Sequence, residues 1–200
     1  AHFGDPVAEK TPRTPAKRGW TNCLTHTLTQ IHSSRMEFHS SAGAKIFGGI
    51  FFAAGTAVSF FCGYLLYQEM DAFAAEMLVP LIVGVVFAIA GIWMLRSVTA
   101  PIVFDTRMGY FWKGRQAPNR VVNKTAIDTL AEIGEIYALQ IISEHCSGKN
   151  SSYESYELNL VLRDGRRINV VDHGNVGRLR QDTQTLSRFL GIPVWDATLS

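Results

Sequence analysis

The sequence is short of the residues that announce catalysis or metal binding. Its 200 residues include three cysteines, Cys23, Cys62 and Cys146. An odd number at wide spacing builds neither a disulfide framework nor a CxxC frame, and reduced thiols are expected. His26, His32, His39, His145 and His173 share no i,i+4 ligand spacing and no HExxH frame, so no metal and no cofactor are expected. The formal net charge is only +2. Neither flank carries a concentrated basic stripe, which argues against a nucleic-acid partner.

Charge is missing altogether from two long runs. Residues 46–67 hold no charged side chain, and residues 77–96 hold none before Arg96. A helix of about 22 residues reaches about 33 Å, enough to cross the hydrocarbon core of a bilayer. A buried hairpin in a soluble core would show an amphipathic stripe, and both runs are apolar all round. Two transmembrane helices are therefore expected.

The stretch between the runs, YQEMDAFAAEM, lacks Lys and Arg but carries Glu69, Asp71 and Glu76. Carboxylates near the bilayer centre would cost about 2.5–3.5 kcal/mol each. Residues 68–76 are thus expected to form an aqueous acidic turn. Lys10, Arg13, Lys17, Arg18, Arg35 and Lys45 precede the first run, and Arg96, Arg107, Lys113 and Arg115 end or follow the second. The positive-inside rule then puts both termini in the cytoplasm and residues 68–76 outside, with the bacterial inner membrane as the expected location. Small residues at four-residue spacing, Gly55, Ser59 and Gly63 in one run and Gly84 and Ala88 in the other, are expected to pack the two helices on each other. No charge lies within either span, so no ion path is suggested.

The flanks read as polar protein. Residues 1–20 contain three prolines and no apolar periodicity, and a disordered cytoplasmic tail is expected. Residues 21–45 alternate as a threonine-rich β-hairpin that joins the soluble sheet. PIVFD and YFWKG flank a Gly-containing turn, as in another hairpin. TAIDTLAEIG, residues 125–134, reads as a short helix or irregular turn. Strands follow at Ile136–Glu144, Tyr156–Arg163 and Arg166–Val171, the last two joined by the Asp164-Gly165 turn. Val176, Leu179, Leu186 and Leu190 set the stripe of a helix over residues 175–190, capped by Asn175 and ended by Gly191 and Pro193. Val194 and Trp195 form a short apolar tail.

The fold class expected is an α+β membrane protein: a two-helix transmembrane hairpin plus an antiparallel β domain, residues 98–200, closed by a C-terminal amphipathic helix. FDTRMGYFWKG, AIDTLAEI, the strand pair around RDG and the final helix, together about the last half of the chain, carry a resemblance. Their order resembles the pleckstrin-homology-like domains of small bacterial membrane proteins, in which a membrane hairpin precedes or interrupts the domain. The resemblance implies a binding or scaffolding module and no reaction. In eukaryotic pleckstrin-homology domains the first hairpin often holds lipid phosphates, and RMGYFWKGR is loosely similar. On that basis Arg107, Lys113 and Arg115 are candidate contacts for an anionic headgroup or a protein partner, with Trp112 at the interface. Cations near a cytoplasmic helix end are also expected for orientation alone.

Three functions stand side by side. The first is a non-enzymatic membrane-anchored module; the second is an accessory subunit of a larger membrane complex. The third and weaker one, a Cys/His-dependent enzyme, would use Cys146 with His173 and Asp172 as base and orienting acid. No nucleophile signature surrounds Cys146, and loop placement and helix capping explain these residues, so the chain is read as a non-enzyme.

Overall fold

The computed structural model describes residues 6–12, 14–15, 26–68, 74–120, 129–147 and 152–198. The chain is α+β and divides into two compact units, residues 40–100 and residues 1–39 with 101–200.

The first unit is a helical hairpin. α2 spans Ala42–Gln68 and α3 spans Ala74–Val98. Both are long and apolar enough to cross a membrane. Each exceeds the uncharged run that marks it. α3 starts at Ala74 because Ala74, Ala75 and Glu76 are good helix formers. Pro80 consequently falls inside α3, beyond its first turn, and forfeits one backbone hydrogen bond there. Of the expected acidic turn, residues 69–73 lie outside the described residues. The helices meet where side chains are smallest. A Cβ at Gly55 would fall on the backbone of Gly84 and Ala88, and one at Gly84 would lie 2.7 Å from Ser59 Oγ. Phe51 and Phe87 stack across the seam at 5.7 Å.

The second unit holds two sheets. The first has the order β1 (His26–His32), β2 (Arg35–Ser40), β3 (Ile102–Asp105), β4 (Tyr110–Lys113) and β5 (Leu130–Glu132), its mapped pairs antiparallel. The second has the order β8 (Arg167–His173), β7 (Ser152–Leu162), β6 (Ile136–Ser147) and β9 (Val194–Asp196), with β9 parallel to β6. The helical hairpin therefore enters the chain between two paired strands, and a domain begun at residue 98 would lack β1 and β2. Strand alternation puts Met36, Phe38, Phe104 and Phe111 on one face, and Leu139, Ile141, Leu158 and Leu160 on the facing sheet. Leu179 and Leu186 of α4 (Val176–Leu190), both fully buried, complete this core.

α4 is delimited by its caps. Asn175 Oδ1 accepts from the Arg178 amide at 2.9 Å, and Gly191 takes the left-handed conformation at φ 68°. Asn175→Ala is expected to cost about 1 kcal/mol in urea unfolding of this unit. Past Gly191 the chain reverses, and the Pro193 carbonyl accepts from the Leu139 amide at 2.9 Å. Val194–Asp196 is thus a strand and not merely a tail; three residues are too short to show a period.

Two other expectations are corrected. Leu130–Glu132 is a strand where a short helix or irregular turn was expected, because pairing with Tyr110–Trp112 decides its conformation, and among the described residues the expected short helix is confined to a 3-10 turn at Ile133–Glu135. Residues 125–128 lie outside the described residues. Within the segment expected to be disordered, Pro6–Lys10 forms α1, whose Val7 and Ala8 pack against Ala138, Val161 and Trp195. Residues 1–5 and 16–20 of that segment lie outside the described residues, as do 21–25 of the hairpin segment.

Candidate functional site

The basic β3–β4 hairpin does not gather its cations. Arg107 is exposed in the turn at residues 106–109, while Lys113 ends β4 and Arg115 is exposed beyond it. Lys113 turns toward the second sheet, where Nζ donates to Asn169 Oδ1 at 3.4 Å. Trp112 points to the other face and is 1 % exposed. It is therefore buried, where the sequence reading has it at an interface. The Arg35 guanidinium lies 5.4 Å from the centre of its ring. Arg35 Nε also donates to Glu37 Oε1 at 2.6 Å, and His39 Nε2 lies 3.1 Å from Glu37 Oε2. Arg35 is thus engaged on this face by groups of its own sheet.

The residues considered for thiol chemistry are not brought together either. Cys146 pairs across the ladder with Tyr153, and His173 pairs with Tyr156. They flank β7 on opposite sides, three residues apart along it, a separation of roughly 14 Å. Asp172 and His173, being consecutive, project to opposite faces. His145 Nδ1 lies 2.8 Å from Glu154 Oε1 on the exposed rim. Among the described residues no group of three or more His, Cys, Asp or Glu side chains is placed to hold a metal.

His173 instead belongs to a buried polar cluster. A register shift between Leu158 and Asn159 places both Val170 and Val171 in the core. It brings His173 to the inner face, where Nδ1 accepts from the Asn175 amide at 2.9 Å. Asp182 of α4 accepts from the Leu28 amide of β1 at 3.3 Å. Burial lowers the pKa of His173, opposed by Asp182, and burial raises that of Asp182. His26 on β1 is pushed down to about 4 by burial, with Lys113, His173 and His39 adding repulsion.

No family model, curated protein or solved structure matches this chain. The reading of its function therefore rests on its own geometry.

The outer face of the second sheet is the most organised polar surface. Strand register aligns Gln140 of β6, Asn159 of β7 and Asn169 of β8 in one row of carboxamides. Gln140 and Asn159 are buried, Asn159 completely. At one end Asn169 Nδ2 donates to Glu157 Oε1 at 3.0 Å and Asp172 Oδ1 at 2.9 Å. At the other, Arg167 reaches Gln140 Oε1 at 3.4 Å. Sequence reading missed this row. Each of its members alternates with the apolar positions of its strand, as a solvated residue would, and only register shows that they are aligned.

In the helical hairpin, Gly55, Ser59, Gly84 and Ala88 form the seam. Gly63 does not: a Cβ there would meet nothing within 4 Å. Gly91 and Gly48 extend the seam instead, against Phe52 and Leu95. Gly63 opens onto an apolar groove of about 380 Å³ lined by Ser59, Phe60, Tyr64 and Tyr67.

Proposed function

We propose that this protein is a membrane-anchored, non-enzymatic binding or scaffolding module. In this reading α2 and α3 span the bilayer and the β unit is displayed at its surface. The observation that carries it is the apolar surface of the helices. In the most apolar stretch of each candidate span, Lys45–Gln68 and Leu78–Val98, only 17 % and 11 % of residues are buried. Phe60 and Trp93 are 76 % and 72 % exposed. A core helix of a soluble protein would bury such side chains, and lipid is the solvent that suits them.

The cation distribution supports both termini in the cytoplasm of a bacterial cell, with residues 68–76 outside the inner membrane. Two packed sheets followed by a C-terminal helix support a pleckstrin-homology-like reading of the β unit. A protein partner suits this unit better than an anionic headgroup, because Arg107, Lys113 and Arg115 do not converge on one phosphate-sized site. The protein is expected to stay in the membrane pellet through alkaline carbonate washing and to leave it in mild detergent. A reporter fused at Ala74 is expected to face outward. Release by carbonate, or a cytoplasmic reporter, would sink the corresponding part of the proposal.

A second reading, an accessory subunit of a larger membrane complex, is favoured by the groove at Gly63. That groove is apolar, open and not used by the α2–α3 seam. Affinity purification in mild detergent separates the two: a stoichiometric membrane partner lost on Gly63→Leu supports the subunit.

A further inference from the structure

The outer face of the second sheet is covered in part by the chain itself. Val7 and Ala8 of α1 pack on Ala138, Val161 and Trp195. Pro12 and Thr14 then meet side chains of the same face. Gln140 Nε2 donates to the Pro12 carbonyl at 3.1 Å, and Arg167 donates to the Thr14 carbonyl at 2.7 Å. Thr11, between the apolar and the polar contacts, is 4 % exposed. Both of these bonds from the sheet end on backbone carbonyls, so they read the main chain and not particular side chains. Proline suits such a place, since it offers a carbonyl and no N–H to leave unpaired.

Asn159 stands beside Gln140 in the same row. It is completely buried, and neither its Oδ1 nor its Nδ2 has a hydrogen-bond partner among the described residues. A buried carboxamide with both ends unused is costly, and such groups in native proteins mark an unplaced water or a ligand. The neighbouring donors already hold peptide carbonyls. A further backbone amide group, which carries one donor and one acceptor, is the chemistry that would satisfy Asn159 as well.

We infer that this face is a peptide-binding groove, occupied in the resting chain by the described residues 6–12 and 14–15 acting as a tethered ligand. Its partner is a protein segment of the same chemistry: a helical turn with small apolar side chains, then a proline-containing stretch that presents its backbone carbonyls. The inference rests on the binding-module reading and names the partner class. The tether gives the resident segment a high effective concentration, so a free peptide competes only weakly until that segment is displaced. The bonds from Gln140 and Arg167 to main-chain carbonyls, each worth about 1 kcal/mol net, are of a kind that a competing peptide can replace.

The test uses a fluorescent peptide of residues 6–15 and the detergent-solubilised protein. A chain lacking residues 1–15 is expected to bind the peptide at least about tenfold more tightly than the intact chain, because the internal competitor is gone. Arg167→Ala in the shortened chain is expected to lose most of that binding. Equal binding by both chains, or none by a shortened chain that still melts cooperatively, overturns the inference. If the shortened chain does not fold, the intact chain carrying Gln140→Ala and Arg167→Ala decides. Trypsin cleavage at Lys10 is expected to accelerate about tenfold as the segment is released, and an unchanged rate overturns the inference. A dimer in which the segment crosses between two copies would assign the groove to a second copy and overturn the partner-peptide reading. Peptide binding in detergent does not depend on bilayer insertion, so its failure would leave the carbonate result standing.

Discussion

Gly84→Leu is expected to uncouple α2 from α3 at a cost of about 3 kcal/mol or more, while Gly63→Leu is expected to change hairpin stability by less than about 0.5 kcal/mol. Both substitutions add the same side chain to a glycine on the apolar hairpin. What differs is the space. At Gly84 even a Cβ would lie 2.9 Å from the Gly55 carbonyl and the Ser59 amide, which are backbone atoms that cannot rotate away. The helices would have to separate, losing the close contacts that small residues permit along the seam. At Gly63 the added side chain enters an open groove. Thermal unfolding of helical ellipticity in micelles checks the pair. Equal effects would show that the seam does not run through Gly55 and Gly84.

Acidification from pH 7 to pH 4.5 is expected to remove up to about 3 kcal/mol from the stability of the β unit. The cause is His26, whose pKa lies near 4 in the fold against 6.5 for an ordinary histidine. Below about 6.5 the unfolded chain takes up a proton that the folded chain refuses until about 4. The unfolded state therefore binds more protons across that window, and stability falls with pH, then levels off below it. The gap between the two values corresponds to about 3 kcal/mol. His173, also lowered by burial, acts in the same direction. Asp182 acts oppositely: burial raises its pKa, so protonation favours the fold and offsets part of the loss at the acid end. Urea midpoints across this range, compared with those of His26→Gln, measure the effect. The variant is expected to show a clearly shallower slope, and an unchanged slope would remove His26 from the explanation.

The two predictions draw on different levels of information. The glycines of the seam were visible as a four-residue rhythm in apolar runs, because a helix brings such positions to one face whatever it packs against. Which of them touch the neighbour was not visible, and Gly63 falls off the seam. His26 and His173 were visible only as isolated histidines. They meet because the register shift in β8 turns His173 inward and the first hairpin brings β1 against α4.

The same division runs through the β unit. The Asp164-Gly165 turn, the alternation of β7 and the caps of α4 are written in neighbouring residues, since each is a matter of local backbone conformation. β5, β9 and α1 are three to five residues long and show no period of their own. Their conformation is set by the strand or face each one docks on. Trp112 makes the point for a single side chain: its aromatic and amphipathic character suits an interface, and the structure buries it.

Sequence alone thus determined the two apolar helices, the acidic cation-free stretch between their runs, and most of the strands that follow, because length, charge and period act locally. Tertiary structure alone decided which glycines touch and which histidines are buried. It also decided that Gln140, Asn159 and Asn169 stand in one row, with Gln140 bonded to the Pro12 carbonyl. Those outcomes depend on register between strands distant in sequence, and register is fixed only when both partners fold together.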